Sequence, residues 1–169
     1  MSGFAPFEHF NDTAVAPFLV LCDHATNNVP TEVNGGDLGL PKAQMARHIA
    51  YDPGALGVAR ELAAVTSAPM LSTRFSRLVI DPNRGEDDPT LVMQLYDGTI
   101  IPANRNISAA EVTRRLDTYH RPYHEAVDSE IERLVAAGFD PALISIHSYT
   151  PKLVNGAPRP WHVGILWLS

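Results

Sequence analysis

The 169-residue sequence contains one cysteine, Cys22. An internal disulfide is therefore excluded, and so is a zinc cage built from thiolates. A reducing compartment is the expected setting. No apolar run approaches the ~20 residues that span a membrane. Positive charge is scarce: 13 Lys and Arg stand against 19 Asp and Glu, a net charge of -6. That balance excludes a broad nucleic-acid surface, which needs an excess of cations. Met1-Ser2-Gly3-Phe4 lacks the basic and apolar regions of a secretory signal, so the cytoplasm is the expected location. A Gly-x-Ser-x-Gly elbow is missing as well, which argues against a serine hydrolase.

What is present fits an ordinary globular domain, with 45% hydrophobic and 19% charged residues. The length suits a single domain over 1–169 with a sizeable core. Phe18-Leu19-Val20-Leu21-Cys22 reads as one buried strand. The polar Asp23-His24-Ala25-Thr26-Asn27-Asn28 follows at once and reads as a loop. Ala142-Leu143-Ile144-Ser145-Ile146, followed by His147-Ser148-Tyr149, has the same grammar. In open α/β sheets, ligands sit beyond the carboxyl ends of strands. Two strands that each end in a His supply part of a metal site if they are neighbours, because imidazole is a common zinc ligand. The other reading of each His is an ordinary hydrogen-bonded loop residue, and the residues alone leave both open.

Along the chain, residues 1–16 show no clear period and read as an arm. Asn34-Gly35-Gly36-Asp37 is a turn. A helix is expected from about Lys42 to Tyr51. Another should run to about Thr66, with Asp52 as N-cap and Pro53 at its first position. Met70-Leu71-Ser72 and Leu78-Val79-Ile80 read as strands. Asp97-Gly98 marks a hairpin. Ser108 and Glu111 form a candidate capping box for the longest helix, which reaches about Gly138. Pro122 should kink that helix near Arg121. Val163–Trp167 reads as a last strand. Alternating strands and helices predict an α/β sandwich, and the hairpin predicts a mixed sheet.

Asn83 and Arg84 follow a strand-like run. Arg offers a planar fork for a carboxylate and Asn can bond its second oxygen; Arg74 and Arg77 lie close by in sequence. The competing reading pairs Arg84 with Glu86 or Asp87 in a surface turn. Asp52 is a helix cap, a site residue, or both. His120 and His124 share a helix face at a spacing that can bind metal. Pro122 between them and the lack of a metalloprotease pattern favour hydrogen bonding to the loops instead. Cys22 reads as a small core residue, not a nucleophile.

Four motifs, Cys22–Pro30, Arg77–Arg84, Tyr119–His124 and Ile146–Pro151, resemble in order and spacing those of the N-formylglutamate amidohydrolase family. The resemblance runs from about residue 16 to the end. It implies a three-layer α/β/α sandwich with a mixed sheet, phosphorylase/hydrolase-like and similar to zinc carboxypeptidases and aspartoacylase. It implies hydrolysis of the N-formyl or N-acyl amide of an acidic amino acid, as in N-formylglutamate giving glutamate and formate in histidine degradation. Zinc or another divalent metal would lie on His24, Asn27 and His147, where Asn27 departs from the relatives' Glu and Asp23 is a further donor. The metal would polarise the scissile carbonyl and activate water. Asn83, Arg84 and Arg77 would grip the substrate carboxylate. The family's general-base Glu is expected beyond Ser169, since no Asp or Glu follows His147. The chain is thus expected to lack the family's C-terminal part. A homo-oligomer, or a partner covering the C-terminal edge, is expected in consequence. The reading from a different class is a non-catalytic or partner-dependent ligand-binding module that retains the fold.

Overall fold

A computed structural model describes residues 4–167; the first three positions of the expected arm, and residues 168 and 169, lie outside the described residues. The strands are β1 (Phe7–Phe10), β2 (Phe18–Cys22), β3 (Met70–Thr73), β4 (Leu95–Tyr96), β5 (Thr99–Ile100) and β6 (Ala142–Ser145). The helices are α1 (Lys42–Met45), α2 (Ala55–Thr66), α3 (Ala109–Arg115) and α4 (Arg121–Ala136). Among the described residues, no helix is long and apolar enough to cross a membrane.

The main sheet has the order β1-β3-β2-β6, while β4 and β5 form a separate hairpin. β2 pairs in parallel with both β3 and β6. β1 runs antiparallel to β3 and makes the sheet mixed. The mixing therefore comes from residues that read as a structureless arm, not from the Asp97-Gly98 hairpin, which forms as expected but outside the main sheet. β1 escapes notice because Phe-Glu-His-Phe does not alternate apolar with polar residues.

Strand geometry sends successive side chains to opposite faces. Val20, Cys22 and Met70 meet the Ala55, Ala59 and Ala63 stripe of α2 on one face. Small residues four apart let that helix approach the sheet closely. Leu19, Leu21 and Leu71 face Tyr123, Val127 and Leu134 of α4 on the other. The result is the α/β/α sandwich. A third cluster, around Phe75, Leu78, Ile80 and Tyr119, fills the space under the loops.

Four local expectations are corrected. The helix from Lys42 stops at Met45, not Tyr51. Asp52 does not cap α2; Gly54, in the left-handed region at φ 85°, takes that place. Leu78–Ile80 is buried but unpaired as a strand. Side chains replace a neighbouring strand there: Asn104 donates to the Leu78 carbonyl and Arg115 to that of Val79. Val163–Trp167 is extended and exposed, with no strand partner among the described residues. The long helix does break at the proline. A π turn over Leu116–His120 joins α3 to α4 and absorbs the ladder bond that Pro122 cannot make. Ser108 caps α3 through its Oγ, which accepts from the Glu111 N–H.

Candidate metal centre

Because β2 and β6 are hydrogen-bonded neighbours with Leu21 opposite Ser145, the residues that follow them leave the sheet side by side. The Ile146 N–H donates to the Leu21 carbonyl and continues the pairing by one step. This brings the His24 and His147 rings to 5.0 Å between centroids. Asp52 joins them from the turn before α2, its backbone N–H bonded to the His24 carbonyl at 2.9 Å. One ligand atom from each of His24, Asp52 and His147 can be chosen so that all three lie within 4.8 Å of one another.

Each member has a fixed orientation. His24 is 2% exposed, and its Nε2 donates to Asp81 Oδ1 at 2.7 Å. In the neutral ring that bond leaves Nδ1 as the bare nitrogen. His24 Nδ1 is buried with no hydrogen-bond partner and stands 3.5 Å from Asp52 Oδ2. His147 Nδ1 lies 2.9 Å from the same Asp52 oxygen, and its Nε2 lies 3.3 Å from Asp23 Oδ2. Asp23 is held in turn by donation from the Tyr123 and Ser145 hydroxyls. Arg77 donates to Asp81 Oδ2 at 2.7 Å and lies 3.7 Å from Asp52. An imidazole whose second nitrogen is tied to a carboxylate is the usual arrangement behind a metal-binding His.

The electrostatics are concentrated. Burial opposes ionisation of Asp23, but hydrogen bonds from His147, Tyr123 and Ser145 hold its carboxyl down at about 2. Burial likewise works against ionised Asp52 and Asp81, yet the neighbouring histidines keep both below the ordinary carboxylate range. Hydrogen bonds to Asp23 and Asp52 raise His147 to about 9. Burial lowers His24, but Asp52 and Asp81 more than offset it and its pKa is raised. Three carboxylates thus face one guanidinium. The two remaining negative charges are balanced either by protons on both imidazoles or by one divalent cation with both rings neutral. The nitrogen and carboxylate donors, one of them orphaned, fit such a cation.

The other residues named from the sequence fall elsewhere. Asn27 turns away, and its Nδ2 donates to the Met45 carbonyl at 2.8 Å in an open cleft lined also by Leu38 and Lys42. Arg77 is buried among the carboxylates, with its guanidinium 5.1 Å from the Tyr96 ring centre. Asn83 and Arg84 sit just past Asp81, and the Asn83 N–H donates to Asp81 Oδ1. Arg84 is exposed, and its nearest carboxylate partner is Asp88 at 3.8 Å. Glu86 pairs instead with Arg121. Asp52 and Asp81 were not singled out as donors to this cluster by the sequence. The available signal was that each is an Asp-Pro pair just after an apolar stretch.

A family model described as N-formylglutamate amidohydrolase matches residues 16–168. A curated relative, the N-formylglutamate deformylase of Pseudomonas aeruginosa, is 35% identical over 120 residues, which is 63% of this chain and 43% of the relative. The crystal structure of a gene product from Agrobacterium tumefaciens matches with a TM-score of 0.85 and 34% identity, over 91% of this chain and 60% of that one. An N-formylglutamate amidohydrolase from Ralstonia eutropha matches with a TM-score of 0.68 and 20% identity, over 89% and 64% respectively; at that identity the fold is what is shared. The chain spans less than two thirds of the length of these relatives.

Proposed function

The chain belongs to the N-formylglutamate amidohydrolase family, and from this premise we propose that it takes part in hydrolysis of the N-formyl amide of an acidic amino acid, with N-formylglutamate as first candidate and glutamate and formate as products. The observation that carries the metal-dependent form of this reading is His24 Nδ1, buried and unpartnered beside Asp52 and His147. His24, Asp52 and His147 would hold a divalent ion, zinc on the chemistry of the donors. Such an ion supplies Lewis acidity toward a carbonyl oxygen and toward water. Asp81 holds the His24 tautomer, and Asp23 holds the His147 ring. Arg77 donates to Asp81 and adds to His24 in keeping it ionised, a role different from direct substrate contact. Arg84, exposed and with only the distant Asp88 carboxylate beside it, and the Asn83 amide bind the substrate carboxylate.

One observation favours the second reading, a ligand-binding module that does not turn over alone. Among the described residues, Asp23, Asp52 and Asp81 are all committed to histidines or Arg77, so none of these three is free as a general base. A positioned base typically contributes about 10² to 10⁴ in rate. The test measures zinc content and formate release from N-formylglutamate by the zinc-loaded chain. Zinc-dependent turnover supports the hydrolase. Stoichiometric zinc with saturable N-formylglutamate binding and no formate supports the module. Neither zinc nor ligand binding would overturn both.

A further inference from the structure

We propose that His120 and His124 are positioning residues for substrate-carboxylate recognition, holding the Pro82–Arg84 turn by its carbonyls so that Arg84 faces the ligand. This rests on the reading of Arg84 given above. His120 Nε2 lies 2.9 Å from the Arg84 carbonyl oxygen, and His124 Nε2 lies 2.9 Å from that of Pro82. A carbonyl only accepts, so both rings must donate from Nε2. Neither Nε2 is then available to a metal, although the spacing of four residues would allow one.

The turn is fixed from its other side as well. The Asn83 N–H donates to Asp81 Oδ1 at 3.0 Å, and the Arg84 N–H to the Asp81 carbonyl at 3.2 Å. Asp81 is the same carboxylate that orients His24. The turn is therefore suspended between the metal centre and α4. Its backbone is held at each end while the Arg84 guanidinium is left almost without protein partners. The cation next door does not compete, because Arg121 is occupied by Glu86 and Asp117. A flexible arginine on a rigid stem loses less freedom on binding than one on a mobile loop, and that difference appears as affinity.

The placement follows from the helix. The π turn ending at His120 lies directly before α4, and the two rings then lie side by side, 4.5 Å between centroids and tilted by 45°. His120 is 5% exposed, and burial lowers its pKa, which keeps the buried ring a neutral donor.

The experiment has two arms on the full zinc-loaded chain. Long-range ¹H–¹⁵N NMR reads where the ring protons lie; both rings are expected to carry Nε2–H, and a ring without a proton on Nε2 would overturn the proposal without reference to Arg84. Calorimetry with N-formylglutamate reads affinity. His124→Ala should weaken binding about 3- to 10-fold, the scale of one hydrogen bond, with zinc content unchanged. His124→Gln, whose amide reaches the Nε2 position, should restore affinity to within about twofold of wild type. In an Arg84→Gln background, His124→Ala should have no further effect. Wild-type affinity in His124→Ala together with weakened Arg84→Gln overturns this inference alone. Wild-type affinity in Arg84→Gln overturns the Arg84 reading and this inference with it. Loss of zinc in His124→Ala would show that the histidine acts on the metal centre, and would likewise overturn it. If His124→Ala does not fold, the tautomer arm and His124→Gln decide: a Gln variant that folds but binds weakly counts against the proposal.

Discussion

Asp52 Oδ2 and His147 Nδ1 lie 2.9 Å apart although 95 residues separate them in the chain. The carboxylate comes from the turn before α2 and the imidazole from the end of β6. Their meeting puts Asp52 among the groups that could hold a metal ion beside His24 and His147, while Asn27 has its amide on a backbone carbonyl.

The first prediction separates those two residues. Wild-type chain reconstituted with zinc should hold about one equivalent. Asp52→Asn should lose most of it, as should His24→Ala and His147→Ala. Asn27→Ala should keep it. Elemental analysis after gel filtration reads the result; retention in Asp52→Asn with loss in Asn27→Ala would return the third donor to Asn27.

The two strand-end histidines are legible because apolar runs turn polar at Asp23-His24 and again at His147. That β2 and β6 would be neighbours was not, since strand order depends on packing of α2 and α4 on opposite faces. For Asp52 the sequence leaves a cap, a site residue or both open. Asp-Pro-Gly before a helical pattern reads as a cap, and its real partners come from distant strands. Asn27 enters only through the family resemblance, and the loop after β2 turns its amide toward the Met45 carbonyl. Leu78–Ile80 has strand composition, yet composition reports burial more than pairing. Its carbonyls are met by Asn104 and Arg115, residues whose role has no local signature.

Cys22 is fully buried, and its thiol is pushed up to about 12 by burial, then by the Asp23 and Asp52 charges. Iodoacetamide attacks thiolate. At pH 8 the native chain should resist labelling, while chain unfolded in urea should take up one label by mass spectrometry. Cys22→Ala should stay folded and keep its zinc, since the thiol is no ligand in this arrangement. Rapid labelling of native protein would contradict the packing of β2 against α2.

Acid stability should depend on Glu111. Its carboxyl is held down at about 2 by hydrogen bonding from Arg114, with a further bond from Arg115 and burial opposing. A carboxyl depressed in the folded state stabilises above its unfolded pKa, near 4.5, and that contribution is lost as pH falls toward about 2. At pH 7, Glu111→Gln should cost on the order of 1–2 kcal/mol, the partial exposure of the carboxylate keeping it modest. Near pH 2 the two proteins should converge. Urea unfolding at several pH values checks this; a pH-independent gap between them would remove Glu111 ionisation as the cause.

Asn104 offers the sharpest test of how the candidate metal centre is held up from behind. It is fully buried, and its amide donates to the Leu78 and Met93 carbonyls while its oxygen accepts from Arg115. Arg115 in turn donates to the Val79 carbonyl. These bonds stand in for a neighbouring strand along the segment that ends in Asp81. Asn104→Ala leaves two carbonyls and part of a guanidinium short of partners in the interior. At about 1–3 kcal/mol for each unsatisfied group, the loss should be on the order of 3–5 kcal/mol after local relaxation. Loosening the Leu78–Asp81 segment should also free Asp81 from His24, and such outer contacts typically govern about 10- to 100-fold in metal affinity. Leu134→Ala supplies the control. Leu134 is equally buried but packs on the opposite side of the sheet from α2, away from this segment. Its truncation should cost a similar 2–5 kcal/mol and leave zinc affinity at 25 °C unchanged. Zinc titration of both folded variants distinguishes support of the site from stability in general: equal affinities in the two would mean that the Asn104–Arg115 strut holds the core but not the metal centre.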